Sequence, residues 1–238
     1  MKRLFIVALF ALCSFAAKAQ NVQLHYDFGR DMYDDLGKTE SYYGRPKLTT
    51  TVEMFKADKW GSTFFFVDMD YADHEVKSAY WEIARELKFW EGPISLHVEY
   101  NGGLNFIKDA YLAGLTYSWN NSDFSKGFTF TPSYKYIYGN TTPNNFQLTG
   151  TWYLHFGQGK YSFTGFFDWW REKHTDGKGN AHDYVFISEP QFWVNLNKFK
   201  GVDDDFNLSI GTEWEISSNF ALMEGWYLNP TLALKWSF

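Results

Sequence analysis

From Trp226 to Phe238, Trp226, Leu228, Pro230, Leu232, Leu234, Trp236 and Phe238 alternate with Tyr227, Asn229, Thr231, Ala233, Lys235 and Ser237. A period of two sends alternate side chains to opposite faces of a β-strand, so this segment has one apolar face and one mostly polar face. The same alternation sets Val22, Leu24, Tyr26 and Phe28 against Gln23, His25 and Asp27. It also sets Phe206, Leu208, Ile210, Trp214 and Ile216 against Asn207, Ser209, Glu213 and Glu215. In the segment 146–156, Trp152 and Leu154 stand opposite Thr151, Tyr153 and His155. Segments of similar character lie near 47–57, 61–71, 77–90, 94–101, 110–119, 127–138, 161–171 and 182–194. With the four above, the pattern predicts an all-β chain of about twelve strands.

What such strands can build depends on the solvent. The mean hydropathy is −0.39, and after residue 17 no stretch approaches the roughly 20 apolar residues of a membrane-spanning helix. Yet 21% of the residues are Phe, Trp or Tyr, far more than a soluble core needs. Lipid leaves no backbone amide unpaired, so a polar chain can cross it only as a closed barrel with aromatic girdles. The expected fold is therefore a transmembrane antiparallel β-barrel, and its even strand count fits a single-chain barrel. A secreted β-sandwich lectin is the competing all-β reading, disfavoured by the outward aromatic bands and the terminal Phe238.

The N-terminus agrees with export. Met1-Lys2-Arg3 precedes an uncharged run from Leu4 to Ala17, and Ala17-Lys18-Ala19 supplies the small-x-small pattern of a cleavage site. The chain thus divides into a signal peptide, 1–19, and a barrel, 20–238. Cys13, the single cysteine, lies in the leader behind Leu12, where a lipid acceptor would need a small residue. Loss of Lys2, Arg3 and Lys18 from 22 basic residues leaves 19 against 28 acidic ones, a formal charge of 19 − 28 = −9. That charge argues against nucleic acid as a partner.

Loop lengths order the two ends. With the first strand starting in the periplasm, Asp58-Lys59-Trp60, Glu91-Gly92-Pro93 and Gly157-Gln158-Gly159-Lys160 are periplasmic turns. Segments 30–46 and 172–181 are outer loops, as is the short 72–76, and 195–203 is a long periplasmic turn. Ser78–Trp90 could be read as a helix, but its neighbours favour a strand. As a strand it sends Trp81, Ile83, Leu87 and Phe89 to lipid, with Arg85 at the same parity near mid-span. A lipid-facing arginine there would cost about 2–4 kcal/mol, so a bulge or register shift turning Arg85 into the lumen is expected.

Three stretches carry a family resemblance: 58–70 (DKWGSTFFFVDMD), 80–87 (YWEIAREL) and 163–170 (FTGFFDWW). They resemble the Tsx-like nucleoside-specific channels, and more closely an uncharacterised Bacteroidota family of the same superfamily. The resemblance implies a monomeric twelve-stranded barrel in the outer membrane of a Gram-negative cell, passing nucleosides passively. The ending on Phe238 resembles the signature that the barrel-assembly machinery recognises. The chain departs from those channels in its loops and in lacking a recognisable full set of their nucleoside contacts.

Candidate site residues follow from parity. Lumen-facing carboxylates include Asp27, Glu53, Asp68, Asp70, Glu82, Asp168, Glu189, Glu213 and Glu215, which can accept hydrogen bonds from sugar hydroxyls or pair with Arg85, Lys135 or Lys235. Asp68, Asp70 and Arg85 form the preferred constellation, since a buried arginine seeks a carboxylate. Phe55, Phe64, Phe66, Phe166, Trp170 and Trp193 share lumen parity, where they can stack on a planar base or simply fill the barrel. His25, His97 and His155 also face inward, but no serine pairs with them by sequence spacing, so no catalysis is expected. Asp176-Gly177-Lys178-Gly179-Asn180 echoes a calcium loop without its distal Glu, and Asp203-Asp204-Asp205 reads as a solvated turn. Neither cofactor nor metal is expected. The reading is a channel for small hydrophilic solutes, with nucleosides foremost by resemblance; the alternative is a closed barrel with a structural or surface-binding role.

Overall fold

A computed structural model describes residues 20–33, 46–72, 74–105, 107–221 and 223–238. The expected leader, including Cys13, and most of the 30–46 loop lie outside the described residues. The strands are β1 (Gln20–Asp27), β2 (Leu48–Asp58), β3 (Gly61–Ala72), β4 (Glu75–Leu87), β5 (Ile94–Gly103), β6 (Ala110–Asn120) and β7 (Lys126–Ile137). They continue as β8 (Asn144–Phe156), β9 (Tyr161–Thr175), β10 (Ala181–Ser188), β11 (Gln191–Asn195), β12 (Leu208–Ser218) and β13 (Trp226–Ser237).

All pair antiparallel in one sheet, and β1 pairs with β13, from Asn21↔Ser237 to Asp27↔Thr231, so the sheet closes on itself. Closure removes the unpaired edges that lipid would not tolerate. β10 and β11 both bridge β9 and β12, and the pairs Ile187↔Asp168 and Gln191↔Thr164 lie four residues apart on each strand. They form one stave, broken at Glu189–Pro190 because proline has no N–H for the ladder. The barrel therefore has twelve staves, as the alternation predicts.

Burial follows the pleat. On β1, Gln23, His25 and Asp27 are buried while Leu24 and Tyr26 are exposed on the outer wall. Ile83, Val98, Leu115, Phe130, Trp214 and Leu232 continue this exposed apolar belt around the barrel. An apolar surface of that extent needs an apolar solvent. Aromatic pairs edge the belt at both ends. Trp60–Phe89 (5.5 Å), Trp119–Phe128 (5.8 Å) and Phe206–Trp236 (5.9 Å) lie near the end carrying the chain termini. Tyr100–Tyr111 (5.3 Å), Trp169–Tyr184 (5.5 Å) and Phe186–Trp226 (5.5 Å) lie near the other. The cavities of about 310 and 300 Å³, one walled by Phe163, Pro190 and Trp214 and the other by Trp169, Tyr184 and Trp226, are shallow grooves in this outer wall.

One expectation is corrected. The β3–β4 register runs unbroken from Gly61↔Leu87 to Asp70↔Ser78, with its one irregularity at Asp70/Tyr71, so no bulge turns Arg85 inward. β4 ends at Leu87, where Lys88 N donates to Trp60 O at 2.8 Å, and Arg85 stands at the rim rather than at mid-span. There its guanidinium donates to Asp58 at 2.7 and 2.9 Å and to Thr63 Oγ1 at 3.0 Å. Rim depth and a bidentate partner remove the cost that seemed to demand a bulge.

At the opposite end, the Asp176 carboxylate accepts the backbone N–H groups of Lys178 and Asn180, each at 2.8 Å, and a ring nitrogen of His182 at 3.1 Å. Burial alone would raise this carboxyl, but the hydrogen bonds outweigh it and hold it well below the usual carboxylate range. A lowered folded value contributes stability that is present above the ordinary carboxylate range and is lost only as pH falls through the folded value. The segment is thus a self-satisfied turn. Asp176→Ala is expected to make Lys178–Gly179 sensitive to trypsin while the barrel stays intact; unchanged digestion would refute the carboxylate's role.

Candidate functional site

The lumen is lined by the inward parity of every stave, but not evenly. On β2, β3 and β4 the inward positions from Thr49 to Glu86 are half-buried or exposed, and none is fully covered. Elsewhere the interior is packed. Trp193 is 0% exposed, Lys235 Nζ lies 4.1 Å over its ring, and the His25 ring meets its edge at 6.2 Å. Gly211 makes this possible, because a Cβ there would come within 2.4 Å of the Trp193 ring and 2.3 Å of Phe192 O. Trp170, Val185 and Ile187 form a second interior cluster with Phe166 and with Phe220 from the segment after β12. A solvent-reached strip along β2–β4 therefore faces a filled opposite side.

The strip carries most of the predicted site. Phe64 and Phe66 stand 5.9 Å apart, and Phe66 and Tyr80 stand 5.8 Å apart. Thr51 donates to Asp68 at 2.5 Å, while Thr49 and Ser78 donate to Asp70 at 2.7 and 2.5 Å. Tyr80 donates its hydroxyl to Glu82. Thr49, Thr51 and Ser78 come from the strands flanking β3, so register fixes Asp68 and Asp70 in place. Phe55, paired with Phe64 and largely exposed, marks one end of the strip.

Three candidates stand elsewhere. Asp168, buried, accepts Gln147 Nε2 at 3.0 Å and the Thr149 hydroxyl. Phe166 and Trp170 fill the barrel within the second cluster, and Trp170 Nε1 donates to Glu172 at 2.9 Å. Arg85, facing out, joins neither Asp68 nor Asp70, so the proposed constellation of those three does not form. Lys135 and Lys235, expected as carboxylate partners, instead lie over Trp170 and Trp193, with Lys135 also donating to Gln147 at 2.7 Å.

The carboxylates Glu86 and Glu99 escaped the sequence reading, which placed His97 and His155 inward without partners. His97 bridges two carboxylates, with Nδ1 2.7 Å from Glu86 and Nε2 3.1 Å from Glu99. Ser95 and Thr116 complete the shell of Glu86 at 2.5 and 2.9 Å. Inward parity at Glu86 and Glu99 was the available signal. His155 Nδ1 lies 3.0 Å from Ser162 Oγ across the β8–β9 pair, a contact that no linear spacing announces. Asn195 donates to the same oxygen at 3.0 Å and Ser209 to Asn195 at 2.8 Å, which ties Ser162 into a buried structural network.

No curated protein matches the sequence. The solved structures that share the fold include two porins. The KdgM porin is 10% identical with a TM-score of 0.51, over 92% of this chain and 99% of that one. The NanC porin is 8% identical with a TM-score of 0.58, over 92% and 100% of the respective chains. The architecture is thus a closed antiparallel barrel of the porin type. A family model described as Domain of unknown function (DUF5020) matches residues 19–238, and the chain belongs to that family.

Proposed function

We propose that the mature barrel, freed of residues 1–19, lies as a monomer in the outer membrane of a Gram-negative cell and passes small hydrophilic solutes passively through its lumen. Phe238, whose N–H donates to Gln20 O at 2.9 Å as the barrel closes, is the proposed assembly signal. The observation that carries the transport reading is the strip along β2–β4, where solvent reaches the inward side chains along the length of the strands. Fold likeness to two porins supports it. Nucleosides are the leading solutes by the resemblance noted above, and the wall suits them, since a base can stack on Phe64, Phe66 or Tyr80 for about 1–3 kcal/mol each. The ribose hydroxyls can donate to Asp68 and Asp70.

A second reading is favoured by the Trp193 and Trp170 clusters, which fill much of the cross-section. In that reading the barrel is closed and serves a structural or surface-binding role. Liposome swelling with refolded protein separates the two. The channel reading expects faster uptake of nucleosides than of amino acids of similar size, reduced several-fold by Phe66→Ala and by Asp68→Asn with unchanged heat-modifiability. No uptake of any solute would leave the closed barrel.

A further inference from the structure

Carboxylates outnumber cations inside the barrel, with Asp27, Asp168 and Glu215 buried on β1, β9 and β12. Glu53, Asp68, Asp70, Glu82 and Glu86 lie on the solvent-reached wall of β2–β4. The lysines facing inward from the described strands, Lys135 on β7 and Lys235 on β13, have their ammonium groups over tryptophan rings. Arg85 and Arg171 face outward by parity. An entering ion thus meets carboxylates within reach and cations that are already engaged.

Two acceptors on β5, beside this wall, lack donors. Register places Phe66 beside Glu82 and Glu82 beside Asn101, with Ala84 beside Glu99 in the next inward row. The Glu99 side chain is 7% exposed, and only one of its oxygens is used, by His97. Its Oε1 is buried with no hydrogen-bond partner, and so is Oδ1 of Asn101, a residue 4% exposed. Buried acceptors without donors are costly, so an N–H donor brought to these two oxygens would be stabilised. Glu82 lies within electrostatic range of both Glu99 and Asp168. Lys135 is within the same range, but its ammonium serves Gln147 and Trp170. His97, even as imidazolium, offsets one charge of the two carboxylates that it touches.

We propose that the cluster Phe66, Tyr80, Glu82, Glu99 and Asn101, spread over three adjacent inward rows, is a cation-recognition constriction that makes the channel select cations and take protonated amines as ligands. The amine donates to Glu99 Oε1, Asn101 Oδ1 and Glu82, while the faces of Phe66 and Tyr80 favour the positive charge. Carboxylates focused by low-dielectric walls concentrate counter-ions and repel anions. Neutral nucleosides remain admissible and nucleotides are excluded. The inference rests on the channel reading above, and its test separates the two.

Purified protein in a planar bilayer under a KCl gradient gives both answers. The expected reversal potential shows K⁺ preferred over Cl⁻ by about tenfold or more, in the range that such focusing supplies. Millimolar 1,4-diaminobutane is expected to block the K⁺ current, with block and preference both lost in Glu82→Gln/Glu99→Gln and kept in Asp204→Asn on the exposed turn. Current without cation preference would overturn this inference and leave the channel. Absence of current would overturn both. The wild-type reversal potential decides by itself if the double variant fails to assemble.

Discussion

Leu232→Arg is expected to lower the unfolding free energy of the bilayer-inserted barrel by about 2–4 kcal/mol, whereas Leu208→Arg costs about 0–1 kcal/mol. Both positions share outward parity. Leu232 is 58% exposed at the middle of β13, opposite Tyr26 of β1, while Leu208 opens β12 beside the turn that leads into it. The penalty for a guanidinium grows with depth, so the difference between the two measures where the hydrocarbon lies. Urea unfolding in lipid, followed by tryptophan fluorescence, gives both values. Equal costs would show that the exposed belt does not face lipid.

Trp193→Ala is expected to cost about 3–5 kcal/mol, the range for deleting a large buried aromatic side chain. The ring is fully covered, and its loss strips Lys235 of the π face beneath its ammonium. It also removes the 2.9 Å donor to Gln191, whose own amide is given to Glu213 at 2.5 Å. A hole in a hydrogen-bonded interior therefore adds unpaired polar groups to the cavity term. The same urea titration reads the loss. A change below about 1 kcal/mol, the scale of a surface substitution, would show that the ring is not part of a packed interior.

Much of the fold was legible because lipid enforces it. Where one face must be apolar and the other polar, the pleat writes itself into the chain, and Trp226–Phe238 or Val22–Phe28 could be read directly. The stave at 182–194 was also legible as one strand, although Pro190 divides its ladder. Depth was harder to read. Three residues separated the expected end of β4 at Trp90 from the observed end at Leu87, and that shift carried Arg85 to the rim and to Asp58. Parity cannot supply this, because it fixes which side a residue faces and not how far along the barrel it lies.

The site was half legible for a related reason. Phe64, Phe66, Asp68, Asp70 and Glu82 were recognisable as inward residues, and they share one wall because β3 and β4 are sequential neighbours. Phe166 and Trp170 have the same parity and composition, yet they are packing residues. Trp170 is met by Phe220, fifty positions further along the chain, and no local pattern encodes that contact. The unpartnered oxygens of Glu99 and Asn101 are likewise a property of the closed cross-section.

The account's central claim is a water-reached path along β2–β4 inside a barrel whose outer wall faces lipid. Single cysteines at Thr51, Val52, Glu53 and Met54 of β2, and at Ala233 on the packed side, test it in a background with Cys13 replaced by serine. A membrane-impermeant cationic methanethiosulfonate is applied to protein in liposomes. The expected result is rapid labelling at 51 and 53 and little at 52, 54 and 233. Uniform labelling along β2, or none at 51 and 53, would contradict the path.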